Sequence, residues 1–203
     1  MMKKCIVIGT KNKDKRRELQ SLLKGAGIEV LSLEDFPHCP EAREDGKTFE
    51  ANARKKARGY SKHTKMLTLA DDSGLMVSAL NGKPGVYSAR FAGPGCTYHD
   101  NNRKVLRLLG KAPAPRRKAK FVSVVAIYDT GKFVGVVKGE CKGRIALVEK
   151  GKNGFGYDPI FIPDGFTKTF AELSPRTKNR ISHRGKALRR AKQRLLRRLR
   201  SSQ

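Results

Sequence analysis

Two adjacent carboxylates, Asp71 and Asp72, are the first side chains whose chemistry the sequence suggests. They follow the short apolar run of residues 66–70, which predicts a strand ending at the acids, and they precede Ser73 and Gly74. Neighbouring side chains of an extended chain point to opposite sides, so one carboxylate can hold a hard divalent cation while the other braces the backbone. A carboxylate beside such a cation can also accept the proton of an attacking water. The alternative is that the pair only stabilises a turn.

A second polar group follows the first predicted strand, at the start of a predicted helix. Thr10, Asn12 and Lys15 supply a hydroxyl, an amide and an ammonium there. Backbone N–H groups at a helix N-terminus, together with the helix dipole, favour a bound anion, so this turn suits a phosphate. A solvated turn capped by Asn12 is the alternative, and the segment lacks the glycine-lysine pattern of a Walker loop.

A third group lies late in the chain, where residues 155–158 read Phe-Gly-Tyr-Asp. Aromatic faces stack on a nucleobase, and glycine lets the backbone approach the base edge. Further on, Lys178, His183 and Arg184 offer donors for phosphate or for a base oxygen. The alternatives are an ordinary aromatic-glycine turn and a solvated basic surface.

Strands and helices are predicted to alternate in the first part of the chain, and strands dominate its middle. Strands are predicted at residues 4–9, 28–33, 66–70, 75–80, 121–128, 133–137 and 141–148, and helices at 16–24, 49–60, 100–109 and 182–199. Thr48 is predicted to cap the second helix, and Asn52 and Lys56 share a face away from its apolar side. The last helix has an apolar stripe that ends at Leu199. The pattern predicts an α/β fold, with a long mixed central β-sheet and helices on both sides.

Composition narrows the possible partners. The 203 residues carry 45 Lys and Arg against 18 Asp and Glu, a formal net charge of +27, and no acid follows Glu172. This charge favours polyanions or nucleotide phosphates as partners. No apolar run is long enough to span a membrane, and the start of the sequence does not resemble a signal peptide, so a cytoplasmic location is expected. The four cysteines lack zinc-ligand spacing and are expected to be reduced thiols.

Taken together and in this order, these segments resemble the inosine triphosphate pyrophosphatase family, whose members hydrolyse non-standard purine nucleoside triphosphates. The matching segments are residues 10–15 (TKNKDK) with Glu18, 49–57 (FEANARKKA), 69–75 (LADDSGL), 81–91 (NGKPGVYSARF), 154–161 (GFGYDPIF), 169–172 (TFAE) and 178–184 (KNRISHR). They span nearly the whole chain, and several are long and specific.

The resemblance implies a single domain over residues 1–203, with two lobes flanking an active-site groove and a basic C-terminal helix, about 182–200, packed on it. It also implies a homodimer and Mg²⁺-dependent cleavage of inosine, deoxyinosine or xanthosine triphosphate to the monophosphate and pyrophosphate, which sanitises the nucleotide pool. By motif, Asp72 would be both general base and metal ligand. The substrate-binding residues implied are Thr10, Lys11, Asn12, Lys13, Asp14 and Lys15 for the phosphates, Ser73 for the substrate, and Phe155, Gly156, Tyr157, Asp158, Lys178, His183 and Arg184 for the base and sugar.

One departure from the family pattern concerns the metal. The family helix motif reads Phe-x-Glu-Asn-Ala, whereas this chain has Ala51 in place of the glutamate, and Glu50 lies about 100° further round the helix. Activity is therefore expected to be impaired. This leaves an alternative function open, in which a weakly active or inactive relative binds nucleotides or, without sequence specificity, nucleic acid through its basic surface.

Overall fold

The chain folds into two compact units in a computed structural model, which describes residues 4–23, 25 and 27–201, with the backbone alone described at residues 4, 22, 23 and 198–201. The first unit contains the described residues up to Asp72, together with Ser123–Gly139 and those from Gly185 onward. The second unit contains Ser73–Val122 and Glu140–Arg184. The predicted stripe residue Leu199 lies outside the described side chains.

Strands and helices alternate in the first half of the chain, as predicted. The strands are β1 (Lys4–Ile8), β2 (Ile28–Ser32), β3 (Leu67–Val77), β4 (Lys118–Asp129), β5 (Lys132–Ile145) and β6 (Phe161–Pro163). The α-helices are α1 (Lys13–Leu23), α2 (Phe49–Thr64), α3 (Tyr98–Leu109), α4 (Pro175–Ile181) and α5 (His183–Ser201). Among the described residues, no helix is both long enough and apolar enough to cross a membrane.

The strands are hydrogen-bonded in the order β2-β1-β3-β4-β5-β6. β1 runs parallel to β2 and β3, whereas β5 and β6 are antiparallel. A two-residue turn joins β4 to β5, and both of its residues, Thr130 and Gly131, have positive φ, as a tight hairpin turn requires. The mixed sheet confirms the predicted α/β class.

Each unit has its own hydrophobic core. In the first unit, side chains of β1, β3 and β4 pack against the apolar side of α5, which buries Leu188 and Leu195 almost completely. In the second unit, the core forms around Phe121, Phe161 and Phe170, and the Phe121 and Phe161 rings meet edge to face with centroids 4.7 Å apart. Aromatic pairs with this geometry stabilise a core beyond their buried area.

Several predicted boundaries were wrong. β3 does not end at the acids but continues through Asp71 and Asp72 to Val77, so these carboxylates lie within a strand rather than after one. The two strands predicted at residues 133–137 and 141–148 are one strand, β5. The predicted last helix is confirmed as α5, but the short helix before it, α4, was not predicted; α4 ends before Ser182, whose backbone is extended.

Candidate active site

The N-terminus of α1 is capped by Asn12. Its Oδ1 accepts hydrogen bonds from the backbone N–H groups of Asp14 and Lys15, both at 3.0 Å, and the Thr10 hydroxyl oxygen accepts one from Asn12 N–H at 3.2 Å. The helix therefore starts three residues earlier than predicted, and the capping interpretation of Asn12 is confirmed. Because the cap already takes two of the first N–H groups, they are not available to a phosphate, and the charge that this segment can offer comes from its lysines.

Of these lysines, Lys15 is the most enclosed, with a side chain 16% exposed whose ammonium lies 3.3 Å from Asp71 Oδ2. Lys11 forms a long ion pair with Glu41 at 3.8 Å and is about half exposed. Lys13 is exposed, and Asp14 pairs with Arg17 at 3.7 Å. The structure therefore brings Lys15, and not its lysine neighbours, to the acids of β3.

Asp72 is held by two residues of α2 that lie one helical turn apart. Its Oδ2 accepts a hydrogen bond from the Asn52 amide at 3.1 Å, and its Oδ1 lies 3.5 Å from the Lys56 ammonium. The Asn52 Oδ1 in turn accepts a bond from Gly46 N–H at 2.7 Å, which fixes the direction of the amide. The shared face of Asn52 and Lys56, predicted from their spacing, is therefore the face that meets the β3 acids.

The structure adds a residue that sequence reasoning missed. Glu44 lies in the loop before α2, and its Oε1 is 2.8 Å from the Lys56 ammonium, so Glu44 and Asp72 share one cation. Its only sequence signal is its place in an acidic loop. We call Lys15, Glu44, Lys56, Asp71 and Asp72 the acid–lysine cluster.

The ionisation of this cluster is set by burial and by its own charges. Burial raises the pKa of Asp72, and the nearby Lys56 and Lys15 ammonium groups oppose that rise without cancelling it. Burial alone would lower the pKa of Lys56, but the carboxylates of Asp72, Asp71 and Glu44 outweigh it and raise that pKa. Lys56 therefore stays charged, beside a carboxyl group that binds a proton more readily than an exposed aspartate does.

The second group of predicted site residues centres on Asp158 in the second unit. Asp158 Oδ2 lies 2.6 Å from the Lys178 ammonium and accepts a hydrogen bond from Phe155 N–H at 2.8 Å. Both charged side chains are almost fully buried. Gly154 has a φ of +77°, and a Cβ there would collide with the Asp158 carboxylate, so the turn needs glycine at this position.

Two cationic side chains lie over the ring of Phe155. The Lys178 ammonium lies 4.9 Å and the Arg184 guanidinium carbon 5.1 Å from the ring centroid. Arg184 also donates a hydrogen bond to the Ser73 hydroxyl at 3.1 Å, which ties Ser73 to this group. We call Ser73, Phe155, Asp158, Lys178 and Arg184 the aromatic–basic group.

Three of the predicted residues have supporting contacts around this group. Tyr157 is buried in the core of its unit and donates a hydrogen bond to the Ser88 carbonyl at 2.8 Å, so the half-buried Phe155 is the more exposed of the two aromatic residues. His183 is buried and stacks on Phe121, with ring centroids 4.5 Å apart. The carbonyl of Gly156 accepts a hydrogen bond from Asn102 at 3.1 Å.

The acid–lysine cluster has the donors that a magnesium ion takes. No group of three or more metal-binding side chains occurs within the described residues. Mg²⁺, however, needs only one or two protein carboxylates when substrate phosphates supply further oxygens. Asp72 and Glu44 are two hard oxygen donors that already share a cation, and this chemistry fits the ion. Ala51 is exposed in the first turn of α2 and adds no ligand.

The fold and these two residue groups define a mixed α/β protein with a buried carboxylate–lysine site. The chain belongs to the Ham1 family, whose model matches residues 6–194.

Individual relatives agree with this assignment over nearly the whole chain. A dITP/XTP pyrophosphatase of Bacillus cereus is 47% identical over 95% of both chains, and one of Desulforamulus reducens is 49% identical over 92% of both. The solved structure of a HAM1 protein from Coxiella burnetii is similar with a TM-score of 0.87 and 41% identity, covering 96% of this chain and 99% of that one.

Proposed function

We propose that this protein is a Mg²⁺-dependent nucleoside triphosphate pyrophosphatase that converts non-standard purine triphosphates, among them those of inosine, deoxyinosine and xanthosine, to monophosphate and pyrophosphate. The observation that carries the proposal is the placement of Asp72, a buried carboxylate with a raised pKa between the Asn52 amide and the Lys56 ammonium. The relatives named dITP/XTP pyrophosphatases support it because they match 95% and 92% of the chain.

Asp72 acts as the general base for the attacking water. A base is most effective when its pKa approaches the working pH, and burial moves the pKa of Asp72 upward in that direction. The hydrogen bond from Asn52 fixes one carboxylate oxygen, which leaves the other to face the Lys56 ammonium. The base is therefore oriented before the substrate arrives.

Asp72 and Glu44 would hold the magnesium ion, which when bound neutralises the charge of the triphosphate and of the departing pyrophosphate. Lys15 and Lys56 contribute two further positive charges, and both are enclosed enough for their fields to be screened less than those of surface lysines. Lys11 and Lys13 are exposed, so their charges contribute less to phosphate binding than that of Lys15.

The aromatic–basic group binds the base and sugar. The half-buried Phe155 ring would offer a stacking surface, while the Asp158 carboxylate holds the Lys178 ammonium 4.9 Å from the ring centroid. A purine with a 6-oxo group presents an acceptor where adenine presents an amino donor. Donors from Lys178 and His183 therefore favour inosine and xanthine nucleotides over adenine nucleotides.

The cytoplasmic location and the homodimer expected from the sequence are part of the proposal and rest on the family resemblance and the sequence pattern. The alternative main function, that of a weakly active or inactive relative that binds nucleotides or nucleic acid through its basic surface, is not favoured, because relatives with 47% and 49% identity carry the pyrophosphatase name.

The test is a comparison of substrates under one condition. Initial rates of pyrophosphate release are measured with the triphosphates of inosine, deoxyinosine, xanthosine and adenosine, with Mg²⁺ and with the ion removed by chelation. We expect faster release of pyrophosphate from the three 6-oxo substrates than from ATP, and loss of release when Mg²⁺ is chelated. Equal rates for ATP and inosine triphosphate would refute the assigned specificity, and no release from any substrate would refute the activity.

A further inference from the structure

Helix α5 contains basic residues but no acidic ones. Its described side chains include seven Lys and Arg, of which five are exposed, and no acid occurs in the chain after Glu172. The five exposed residues are Lys186, Arg189, Arg190, Arg194 and Arg197. Like charges held together repel one another, so a face of this kind is expected to attract an anionic partner.

The opposite side of α5 fixes the helix to its unit. Ala187, Leu188, Ala191 and Leu195 are each no more than 1% exposed and belong to the core of the first unit. The basic residues are therefore presented by a packed helix rather than by a loose tail.

Strand β5 of the β4–β5 hairpin contacts two arginines of this surface and adds a lysine to it. Arg190 donates a hydrogen bond to the carbonyl of Lys138 in β5, which places an exposed lysine beside the helix. The Arg194 guanidinium lies over Gly135, where any larger side chain would collide with it. A glycine in the interior of a strand often marks the close approach of another group, and here that group is an arginine.

We propose that the α5 basic face, defined as Lys138, Lys186, Arg189, Arg190, Arg194 and Arg197, binds the phosphate backbone of nucleic acid without sequence specificity. From Lys186 to Arg197 the row extends about 16 Å along the helix axis. One strand of duplex DNA places a phosphate about every 3.4 Å along its axis, so the row matches several consecutive phosphates. A single triphosphate is too short to reach both of its ends.

The structure favours nucleic acid over a lipid surface. A helix that lies in a membrane interface inserts its apolar side between the lipids. The apolar side of α5 is already buried in the protein core, so only the charges are presented. A surface that offers charge alone fits a phosphate backbone, whose binding is dominated by such contacts.

The experiment follows the anisotropy of a fluorescein-labelled mixed-sequence DNA duplex over a range of salt concentrations. The test variant combines Lys186→Gln, Arg189→Gln and Arg197→Gln, none of which belongs to the proposed catalytic site. A matched control combines Lys83→Gln, Lys111→Gln and Lys168→Gln, which removes the same charge from dispersed exposed positions of the second unit. Thermal unfolding and pyrophosphate release are recorded for every protein.

The parent is expected to bind the duplex with a steep linear fall of log affinity against log salt. Each lost phosphate contact lowers the slope by about 0.9, so the α5 variant is expected to lose about 2 to 3 in slope while the control keeps the parent value. Pyrophosphate release is expected to be unchanged in both. If the triple variant unfolds, the three single substitutions are each expected to lower the slope by about 0.9.

Equal losses in the α5 variant and the control would show that net charge, and not this face, binds DNA, and would overturn the proposal. Absence of binding to the duplex at low salt would also overturn it. So would a preference for anionic vesicles, made of one part phosphatidylserine to three parts phosphatidylcholine, over the duplex at the same salt concentration. None of these outcomes depends on the proposed enzymatic activity.

Discussion

The Lys56 ammonium lies 3.5 Å from Oδ1 of Asp72, and both side chains are only 7% exposed. The same ammonium lies 2.8 Å from Glu44, so one lysine of α2 joins a strand carboxylate to a loop carboxylate. Burial raises the pKa of Asp72 while this lysine lowers it. The protonation of the proposed base is therefore set by a balance that single substitutions can shift.

The first prediction concerns the opposing effects of burial and of Lys56 on the pKa of Asp72. Lys56→Met removes the ammonium that lowers the pKa of Asp72, so the pKa rises further. A base acts when it is deprotonated, and its activity is lost as the pH falls through its pKa. The acid limb of the kcat/KM profile is therefore expected to move to higher pH.

Lys55→Met is the matched control, because Lys55 is the adjacent exposed lysine and pairs with Asp45 at 2.6 Å, outside the cluster. Its acid limb is expected to coincide with that of the parent. An acid limb that stays in place or moves to lower pH in Lys56→Met would contradict the role given to Lys56. Circular dichroism confirms that each variant is folded.

The second prediction concerns the phosphates. Lys15→Ala removes an enclosed ammonium, and hydrogen bonds to charged groups contribute about 1.5–3 kcal/mol. Binding of inosine triphosphate is therefore expected to weaken on the order of tenfold or more, whereas inosine binding is unchanged. Isothermal titration calorimetry with both ligands, with Mg²⁺ removed by chelation so that the triphosphate is not hydrolysed, gives the comparison.

Lys47→Ala removes the same charge from an exposed position and serves as the control for net charge. It is expected to change neither affinity appreciably. Equal losses of inosine and inosine triphosphate affinity in Lys15→Ala would mean that this lysine supports the fold through Asp71 and does not bind phosphate.

A third prediction tests the stacking surface. Phe155→Leu keeps an apolar side chain but removes the ring that stacks on a base, an interaction of about 1–3 kcal/mol. Inosine monophosphate is expected to bind on the order of tenfold more weakly, with a higher KM and little change in kcat. Phe155→Tyr keeps the ring and is expected to bind like the parent. A fall in kcat without a rise in KM would place Phe155 outside the base site.

The fourth prediction concerns Ala51, where the family pattern has glutamate. Ala51 is exposed in the first turn of α2, where its N–H donates to the Thr48 hydroxyl at 3.0 Å. A glutamate there is compatible with the helix and with its dipole. Ala51→Glu is expected to raise activity at limiting Mg²⁺ through tighter use of the metal. The Mg²⁺ dependence of pyrophosphate release measures this, with Ala51→Gln as the uncharged control. Superimposable curves for Ala51→Glu and the parent would show that position 51 does not serve the metal.

Local patterns in the sequence predicted the features that depend on neighbouring residues. The Thr48 cap, the α2 face of Asn52 and Lys56, and the α/β class all follow from spacing and periodicity. The same rules ended the third strand at Ala70, because the polar residues and the glycine of 71–74 interrupt the apolar run. The structure instead neutralises the two adjacent acids with Lys15 and Lys56, which come from two helices distant in sequence.

Other features depend on the tertiary path of the chain and have no local signal. Glu44 reaches Lys56 from a loop twelve residues earlier, which composition alone cannot indicate. β5 was divided at Lys138, Gly139 and Glu140 because these residues favour a loop. In the structure Glu140 pairs with Lys120 of β4 at 3.3 Å, and the strand continues.

In the proposed reaction, this chain hydrolyses the anhydride between the α- and β-phosphates of the substrate with Asp72 as the base. The most direct measurement is phosphorus-31 NMR of the products formed from inosine triphosphate and Mg²⁺ by the parent and by Asp72→Asn. We expect inosine monophosphate and pyrophosphate in equal amounts from the parent, and a rate lower by about 10²–10⁴-fold in the folded Asp72→Asn variant, which is the contribution of a positioned base. Inosine diphosphate with orthophosphate as the products, or a variant that keeps the parent rate, would contradict the proposed reaction.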